Sequence, residues 1–162
     1  MKALKTIMII FVAMLVVMAL LLGYLFLSAE VKVEVTGHQS IIASTVPSFN
    51  ALKDSIDEQT FVGTVYNVPA AWLDSSEYAY VTYQVSVNNG CLVPIEMIEV
   101  QVVPQPDDVV QLGNMQDYSL AAKTSGEVSA TVLTHSVRSN ARELIVSYYV
   151  WGISFQQRIV SK

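Results

Sequence analysis

One uninterrupted apolar run near the start of the chain constrains what the rest can be. Ile7 to Ser28 contains neither a charged residue nor a proline. A helix rises about 1.5 Å per residue, so this run is about 33 Å long as a helix, close to the thickness of a bilayer's hydrocarbon core. The run is apolar on every face, which disfavours a helix buried in a soluble core. The sequence therefore predicts a transmembrane helix over residues 7–28.

The residues that flank this run distinguish a permanent anchor from a cleaved signal peptide. The run is longer than a signal-peptide core, and Phe26 or Leu27 in the minus-three position is a poor cleavage signal. No cysteine follows directly, which excludes a lipoprotein. Lys2 and Lys5 precede the run, so the positive-inside rule places the N-terminus in the cytoplasm. We therefore expect a cytoplasmic stub at 1–6, an uncleaved anchor at 7–28 and an extracytoplasmic domain at 29–162.

The part of the chain after the anchor is acidic and large enough for one domain. Two of the nine Lys and Arg precede the anchor, whereas all 14 Asp and Glu follow it, which gives the downstream part a net charge of −7. Binding to nucleic acid needs clustered Lys and Arg, so this balance excludes it. Cys91 is the one cysteine and cannot form an internal disulfide. A hydrophobic core must therefore stabilise this domain.

Alternation of apolar and polar residues predicts that the domain is built from β-strands. The strongest signal places Val81, Tyr83 and Val85 on one face, and Asn88-Asn89-Gly90 follows as a turn that accepts positive φ. Gly37 is predicted to end the first strand. The predicted strands cover 31–37, 60–66, 79–87, 91–103, 109–112, 127–134, 144–150 and 153–159. About seven to nine strands with frequent turn signals predict an all-β fold, an antiparallel β-sandwich.

Residues 47–58 are the one predicted helix outside the membrane. Phe49, Leu52 and Ile56 recur on one helical face, and charged residues lie on the others. Thr45 is the candidate N-terminal cap. The alternative is an irregular loop that covers the sandwich.

A resemblance to known domains rests on two runs of sequence. Val81 to Val103, VTYQVSVNNGCLVPIEMIEVQVV, resembles the centre of a LEA14/WHy-type or FxLYD-type immunoglobulin-like domain, in which an Asn turn precedes a strand of the form I-x-x-I-x-V-x-V. Ser119 to Val128 is similar to the linker into a later strand of those families, whereas Asn89-Gly90 replaces their usual Asn-Pro turn. The resemblance covers about 60 residues. It implies a non-catalytic immunoglobulin-like sandwich behind one membrane helix of an envelope protein.

Residues that could carry chemistry are scattered along the chain. His38 and His135 lie next to predicted turns without HxxxH or CxxC spacing, which favours surface histidines over metal ligands. Glu96 and Glu99 are three residues apart, so a strand places them on opposite faces and they form no acid–base pair. The chain has no G-x-S-x-G motif for a serine nucleophile. We therefore assign no catalytic, cofactor-binding or metal-binding residue.

One acidic segment is open to two interpretations. The segment contains Asp107-Asp108, followed by Asn114 and Asp117. These residues form either a Ca²⁺ site at the end of the sandwich or a solvated acidic turn. They do not have the spacing of an EF-hand. Cys91, at the start of a predicted strand, is expected to be a buried, unreactive thiol.

The apolar residues of the loops also have two interpretations. Trp72 and Leu73 are predicted to plug the loop at 70–76, and Trp151 to pack in the core or at its rim. The alternative for each tryptophan is an anchor to the membrane interface or to a partner. Gly23 alone makes no GxxxG dimerisation motif in the membrane helix.

Together these features predict a membrane-anchored, extracytoplasmic binding or scaffolding protein of a cell-envelope assembly, without catalytic activity. Its expected partners are the lipid bilayer and other envelope proteins or further copies of itself. The alternative is a pilin-like filament or secretion-machine subunit that packs through its N-terminal helix. Against it, the chain lacks the pilin-like pattern, in which a Gly or Ala precedes a hydrophobic run that starts F/M-x-x-x-E. An envelope enzyme is the third hypothesis. The absence of N-x-S/T sequons and of paired cysteines favours a bacterial origin.

Overall fold

The computed structural model describes residues 2–27, 30–113, 118–135 and 141–161. Within those residues the helices are α1 (Lys2–Leu27) and α2 (Phe49–Asp57). The strands are β1 (Val31–Ile42), β2 (Gly63–Val65), β3 (Ala79–Asn89), β4 (Ile95–Val102), β5 (Asp108–Leu112), β6 (Ser125–Thr134), β7 (Arg142–Val150) and β8 (Ile153–Ser161). Short 3₁₀ turns cover Ala43–Thr45 and Ser75–Glu77.

The N-terminal helix begins earlier than the apolar run. Lys2 and Lys5 lie within α1, and the part that is long and apolar enough to cross a membrane is Leu4–Leu25. Leu4 to Tyr24 are exposed, and none of that part is fully buried, although Leu25 at its end is half-buried and lines a cavity of the domain. Ser28, where the predicted span ended, lies outside the described residues. An apolar helix that its own chain leaves uncovered requires another apolar environment, either lipid or neighbouring helices.

Two antiparallel sheets form the domain that follows. One sheet has the strand order β1-β3-β6-β5-β2, and the other has the order β4-β7-β8. Their inward-facing side chains meet in one apolar core, which includes Val85, Val100 and Val146. Val85 is fully buried and the neighbouring Gln84 is exposed, as the alternation predicts. The prediction of a mostly β domain behind an apolar N-terminal helix is therefore confirmed.

The predicted helix at 47–58 is confirmed as α2. It buries Phe49 and Ile56, and partly buries Leu52, in a second apolar cluster on the outer face of the five-stranded sheet. This cluster lies at the end of the strands away from α1, because β1 runs from α1 towards it. The cap differs from the prediction, since Ser48 precedes the first helical residue. The hydroxyl of Thr45 instead donates within the preceding 3₁₀ turn.

Gly37 does not end the first strand. A bulge between Val35 and Gly37 shifts the register against β3, and β1 continues to Ile42. The extra residue, Thr36, donates its hydroxyl to the carbonyl of Gln84 at 3.3 Å. Thr36-Gly37, which was predicted to end the strand, is therefore a bulge within one long edge strand.

The Asn-Gly pair at the end of β3 turns the chain from one sheet to the other, but without the positive φ that was predicted. β3 and β4 belong to different sheets, and neither Asn89 nor Gly90 has a positive φ. The buried Asn89 side chain donates to the carbonyls of Val93 and Ala121, both at 2.9 Å. A Cβ at Gly90 would lie 2.5 Å from the carbonyl oxygen of Glu30. Glycine is needed here because the chain arriving from α1 passes so close.

The segment between α2 and β3 contains less strand than predicted. Only Gly63–Val65 of the predicted strand at 60–66 pairs, as β2. Trp72 plugs this region as predicted, with its ring 6.1 Å from Phe49 and 5.6 Å from Tyr78. Leu73 is half-exposed, so the prediction that it also plugs the loop is wrong.

The last two strands form a tight hairpin. Val150 pairs with Ile153 across a two-residue turn, Trp151-Gly152. Both turn residues have positive φ, 51° and 75°, which is the type I′ geometry that two-residue hairpins favour. The turn separates the strands that were predicted at 144–150 and 153–159.

Candidate functional site

The histidines do not form a metal site within the described ranges. His38 is exposed in the middle of β1, with its ring 6.2 Å from that of Tyr83, and does not lie beside a turn as predicted. His135 follows β6, with its ring 5.6 Å from that of Tyr78. Across residues 2–27, 30–113, 118–135 and 141–161, no group of three or more His, Cys, Asp or Glu side chains could hold a metal ion.

Glu96 and Glu99 lie on the same face of β4, contrary to the prediction. Met97 has a φ of 51°, and the register against β7 shifts between the two glutamates. Because of this bulge, Glu96 faces Tyr149 and Glu99 faces Ser147, two residues on one side of β7. Both carboxylates are exposed. They belong to the solvated outer surface of the three-stranded sheet.

Asp108 is neither part of a solvated turn nor free to bind calcium. Its side chain is fully buried, and the Arg142 guanidinium donates to its two carboxylate oxygens at 2.6 and 2.8 Å. The backbone N–H of Gln105 also donates to it, at 2.7 Å. Asp107 beside it is exposed. The other residues of the predicted calcium site lie outside the described ranges, namely Asn114 and Asp117.

The buried ion pair joins the two sheets at the end of the domain away from α1. Asp108 begins β5 in one sheet, and Arg142 begins β7 in the other. Burial alone would lower the pKa of Arg142, but the hydrogen bonds and charge of Asp108 raise it above its ordinary value. Burial also raises the pKa of Tyr83 and Tyr66, which lie near the pair. No local sequence signal marks this pair, because its members are 34 residues apart.

Cys91 and Trp151 line one small apolar cavity at the α1 end of the domain. Cys91 is buried as predicted, and burial raises the pKa of its thiol, which disfavours the reactive thiolate. Trp151 is exposed and borders the core at this cavity, so of the two predicted positions the core is wrong and the rim agrees with the structure. This end of the domain therefore combines an inert thiol with an uncovered aromatic ring.

The edge strands of the two sheets differ in how they are protected from pairing with another chain. β2 is only three residues long. β1 is interrupted by the bulge at Thr36 and carries Lys32 and Glu34 on its exposed side. Short length, bulges and charges are the features by which natural sheets prevent edge-to-edge association.

β4 is protected by a side chain that imitates a neighbouring strand. The Gln111 amide accepts from the N–H of Val102 and donates to the carbonyl of Val100, both at 2.8 Å. Further along, the N–H of Ile98 donates to the carbonyl of Tyr118 at 2.9 Å. These bonds occupy the side of β4 that does not pair with β7. The role of Gln111 could not be predicted, because a glutamine in a strand gives no sign of which side it faces.

β8 lacks such protection in the part of the chain that the structure describes. Its nine residues include neither Pro nor Gly, and its one charged residue, Arg158, is paired with Glu143 at 2.9 Å. Apart from the ladder with β7, its backbone groups have no backbone hydrogen-bond partner among the described residues. The side chain of Gln157 reaches the Val31 carbonyl at 2.7 Å, and an open groove runs between β8 and β1.

The hairpin geometry identifies which backbone groups of β8 are free. Val150 and Ile153, the residues that close a two-residue turn, form a hydrogen-bonded pair, and such pairs recur at every second residue. The N–H and C=O groups of the intervening residues therefore point away from β7. They are Ser154, Gln156, Arg158 and Val160, and their side chains are exposed. Four residues of free strand edge are thus presented to another extended chain.

Comparison with known protein families and with curated protein sequences gives no match for this chain. The features of the chain that bear on its function are the apolar helix, the two-sheet domain and the free edge of β8.

Proposed function

We propose that this chain is a membrane-anchored, extracytoplasmic binding or scaffolding protein of a cell-envelope assembly, without catalytic activity. The observation that carries the proposal is the unprotected edge of β8, in a domain whose other edge strands are short, bulged or capped. The helix, the strand order and the buried polar groups give independent support.

The properties of α1 support anchoring with the domain outside the cytoplasm. Leu4–Leu25 is long and apolar enough to cross a bilayer and is not buried against the domain. Lys2 and Lys5 lie on the short N-terminal side, which the positive-inside rule places in the cytoplasm. The two-sheet domain is then displayed on the other side, where it meets other envelope proteins.

The strand order supports an immunoglobulin-like type of sandwich. Constant-type immunoglobulin domains hold strands ABED in one sheet and CFG in the other. When β1 and β3 to β8 are labelled A to G, the orders β1-β3-β6-β5 and β4-β7-β8 give the same two sets, with β2 as an added edge strand. This agreement favours the resemblance to LEA14/WHy-type and FxLYD-type domains that rests on Val81 to Val103.

The buried polar side chains favour a binding role over a catalytic one. Asn89, Asp108 and Gln111 are buried and satisfied by hydrogen bonds from within the protein. In the described ranges, no buried side-chain nitrogen or oxygen atom lacks a hydrogen-bond partner. Groups held ready for a substrate are often the exceptions to this rule. The interaction capacity of the domain lies instead in the backbone edge of β8.

In the proposed binding mode, an extended segment of a partner protein adds to the three-stranded sheet beside β8. Main-chain hydrogen bonds to Ser154, Gln156, Arg158 and Val160 supply affinity, and the flanking side chains supply specificity, as in other cases of strand addition. The groove between β8 and β1 gives access to this edge.

Site-specific crosslinking in the native membrane tests the proposal. A photoreactive benzophenone amino acid is placed at Gln156 of the full chain, or at Gln101 as the matched control on the capped strand of the same sheet. We expect a crosslinked partner from position 156 and none from position 101. Val160→Pro should abolish the product, because proline removes an N–H that the ladder with β7 does not use.

Three outcomes would contradict binding through β8. They are no crosslinked product, equal products from positions 156 and 101, and a product that survives Val160→Pro. A product of two copies of this chain would favour the alternative, a pilin-like filament or secretion-machine subunit. In that case the mass of the mature chain should reveal processing near Lys5.

A further inference from the structure

Large apolar side chains are exposed at the end of the domain nearest α1. Leu92 lies in the connection between β3 and β4, Trp151 in the β7–β8 turn, and Ile153 at the start of β8. Their exposed fractions are 59%, 57% and 50%. Exposed apolar side chains that lie together mark an interaction surface, whereas single ones are common. These three residues are called the apolar rim.

Strand pairing and a shared cavity place the apolar rim beside the point where the chain leaves α1. Val31, the first residue of β1, pairs with Asn89, the last residue of β3, just before Leu92. An apolar cavity of about 80 Å³ is lined by Val31, Leu92 and Trp151 together with Leu25 of α1 and residues of the core and its border. The rim is thus the outer border of the core at the α1 end.

The chain between α1 and the domain is too short to hold the rim far from a membrane. Residues 28–30 are the only ones between the end of α1 at Leu27 and the start of β1 at Val31. A fully extended chain spans at most about 3.6 Å per residue, so Leu27 and Val31 are at most about 14 Å apart. The interfacial layer on each side of a bilayer is about 5–8 Å thick. When α1 spans a bilayer, the start of β1 lies within or directly above that layer.

Charge is distributed unequally between the two ends of the domain. Exposed acidic side chains surround α2 and the turns at the end away from α1: Asp54, Asp57, Glu58, Asp74, Glu77 and Asp107. The rim end carries Glu30 and Lys32, 3.7 Å apart, and Lys123, whose ammonium group donates to the Gly90 carbonyl. It also carries the exposed Glu96, which faces Tyr149 beside the β7–β8 turn. The rim end is therefore nearly neutral. Inserting it into an interface costs little charge desolvation, whereas the acidic end would be repelled by anionic lipid.

We infer that the apolar rim is a membrane-contact surface, in which Leu92, Trp151 and Ile153 insert into the interface of the same bilayer that α1 spans. Tryptophan is enriched at this depth because its ring is apolar and its N–H is polar. The inference rests on the proposed anchoring. It adds that the domain has a fixed orientation, in which β8 starts at the membrane and its free edge runs away from it.

Tryptophan quenching in the full-length protein tests the inference, because the chain has two tryptophans, one at each end of the domain. Trp72→Phe leaves Trp151 as the only reporter, and Trp151→Phe leaves Trp72 as the matched control. Each variant is reconstituted into phosphatidylcholine vesicles with or without bromine on the acyl chains, which quenches tryptophan on contact. We expect brominated lipid to reduce the emission of Trp151 and to leave that of Trp72 unchanged.

Flotation of the same vesicles on a density gradient separates the two levels of the proposal. Flotation with unquenched Trp151, or with equal quenching of Trp72 and Trp151, would overturn the membrane-contact surface and leave the anchoring intact. Failure to float would overturn the anchoring itself. Replacing Leu92 and Ile153 by Ser in the Trp72→Phe chain should weaken the quenching. The same pair of changes in the Trp151→Phe chain should leave the Trp72 emission unchanged, which shows that the domain remains folded.

Discussion

Replacing Arg142 by Met should destabilise the domain much more than replacing Arg158 by Met. Each guanidinium lies close to a carboxylate, 2.6 Å from Arg142 to Asp108 and 2.9 Å from Arg158 to Glu143. The two pairs differ in burial, because the side chains of the first are 6% and 0% exposed and those of the second are 70% and 38% exposed. The comparison therefore sets a buried pair with two hydrogen bonds against an exposed pair with one.

Removing one partner of a buried pair costs about 3–5 kcal/mol, because the other charge is left buried without compensation. In Arg142→Met, Asp108 retains the hydrogen bond from the Gln105 N–H at 2.7 Å. We therefore expect a loss near the lower limit, about 3 kcal/mol. The exposed pair contributes about 0–1 kcal/mol, so Arg158→Met should be nearly neutral. A loss of about 3 kcal/mol is a large part of the 5–15 kcal/mol that typically stabilises a domain.

Urea unfolding of the full chain in detergent measures both losses, in the Trp151→Phe background so that Trp72 alone reports on the domain. The double variant Asp108→Leu/Arg142→Met should regain most of the stability, because two apolar residues leave no buried charge. Equal losses in Arg142→Met and Arg158→Met would refute the reasoning. So would a double variant that is less stable than Arg142→Met alone.

Other predictions concern the core strand, the tyrosines and the isolated domain. Val85→Asp buries an unpaired carboxylate and should prevent folding or greatly lower the melting temperature. Gln84→Asp lies on the exposed face and should cost about 1 kcal/mol or less. A lower melting temperature for Gln84→Asp than for Val85→Asp would contradict the assignment of Val85 to the inward face. Burial raises the pKa of four tyrosines in the folded state: Tyr66, Tyr80, Tyr83 and Tyr148. Their contribution to the free energy of unfolding should be complete below the unfolded tyrosine pKa of 10.0 and lost as pH rises through the raised pKa values of the folded state. Urea midpoints that stay constant across about pH 8–11 would contradict this. Residues 30–162 made without the helix should be soluble, give a mainly β circular dichroism spectrum and melt at the same temperature with a chelator; a mainly helical spectrum would contradict the fold.

The features that sequence analysis predicted correctly are those in which one face of a single element must be buried. Val85 and its neighbours in β3 alternate because a strand with one face in the core has a period of two. Phe49 and Ile56 recur at helical spacing because α2 covers a sheet. The apolar run in α1 has no polar face at all. In each case the burial pattern of one segment determines its type.

The features that were predicted wrongly depend on contacts between distant segments. Gly90 was predicted as a turn residue that accepts positive φ, but glycine is needed there because the chain at Glu30 passes close to it. Glu96 and Glu99 share a face because a single bulge at Met97 reverses the alternation. Asp108 looked solvated because its partner lies in another strand. A local pattern contains no information about such pairings.

The candidate site could be predicted only in part. The last strand was predicted at 153–159, and its free side follows from the hairpin turn at Gly152. That β8 is the unprotected edge could not be predicted, because it depends on the strand order and on Gln111 capping β4. The sequence left the exposure of Trp151 open, since an apolar ring in a turn next to a core strand can pack against the core or anchor to a partner or membrane.

Labelling of intact cells with a membrane-impermeant maleimide tests most directly whether α1 anchors the domain outside the cytoplasm. Cys91 is buried, so the unaltered chain should give no signal. Asn50 is exposed on α2, so an Asn50→Cys chain displayed outside should be labelled before the cells are broken. Labelling of Asn50→Cys that appears only after the cells are broken would contradict the proposed orientation.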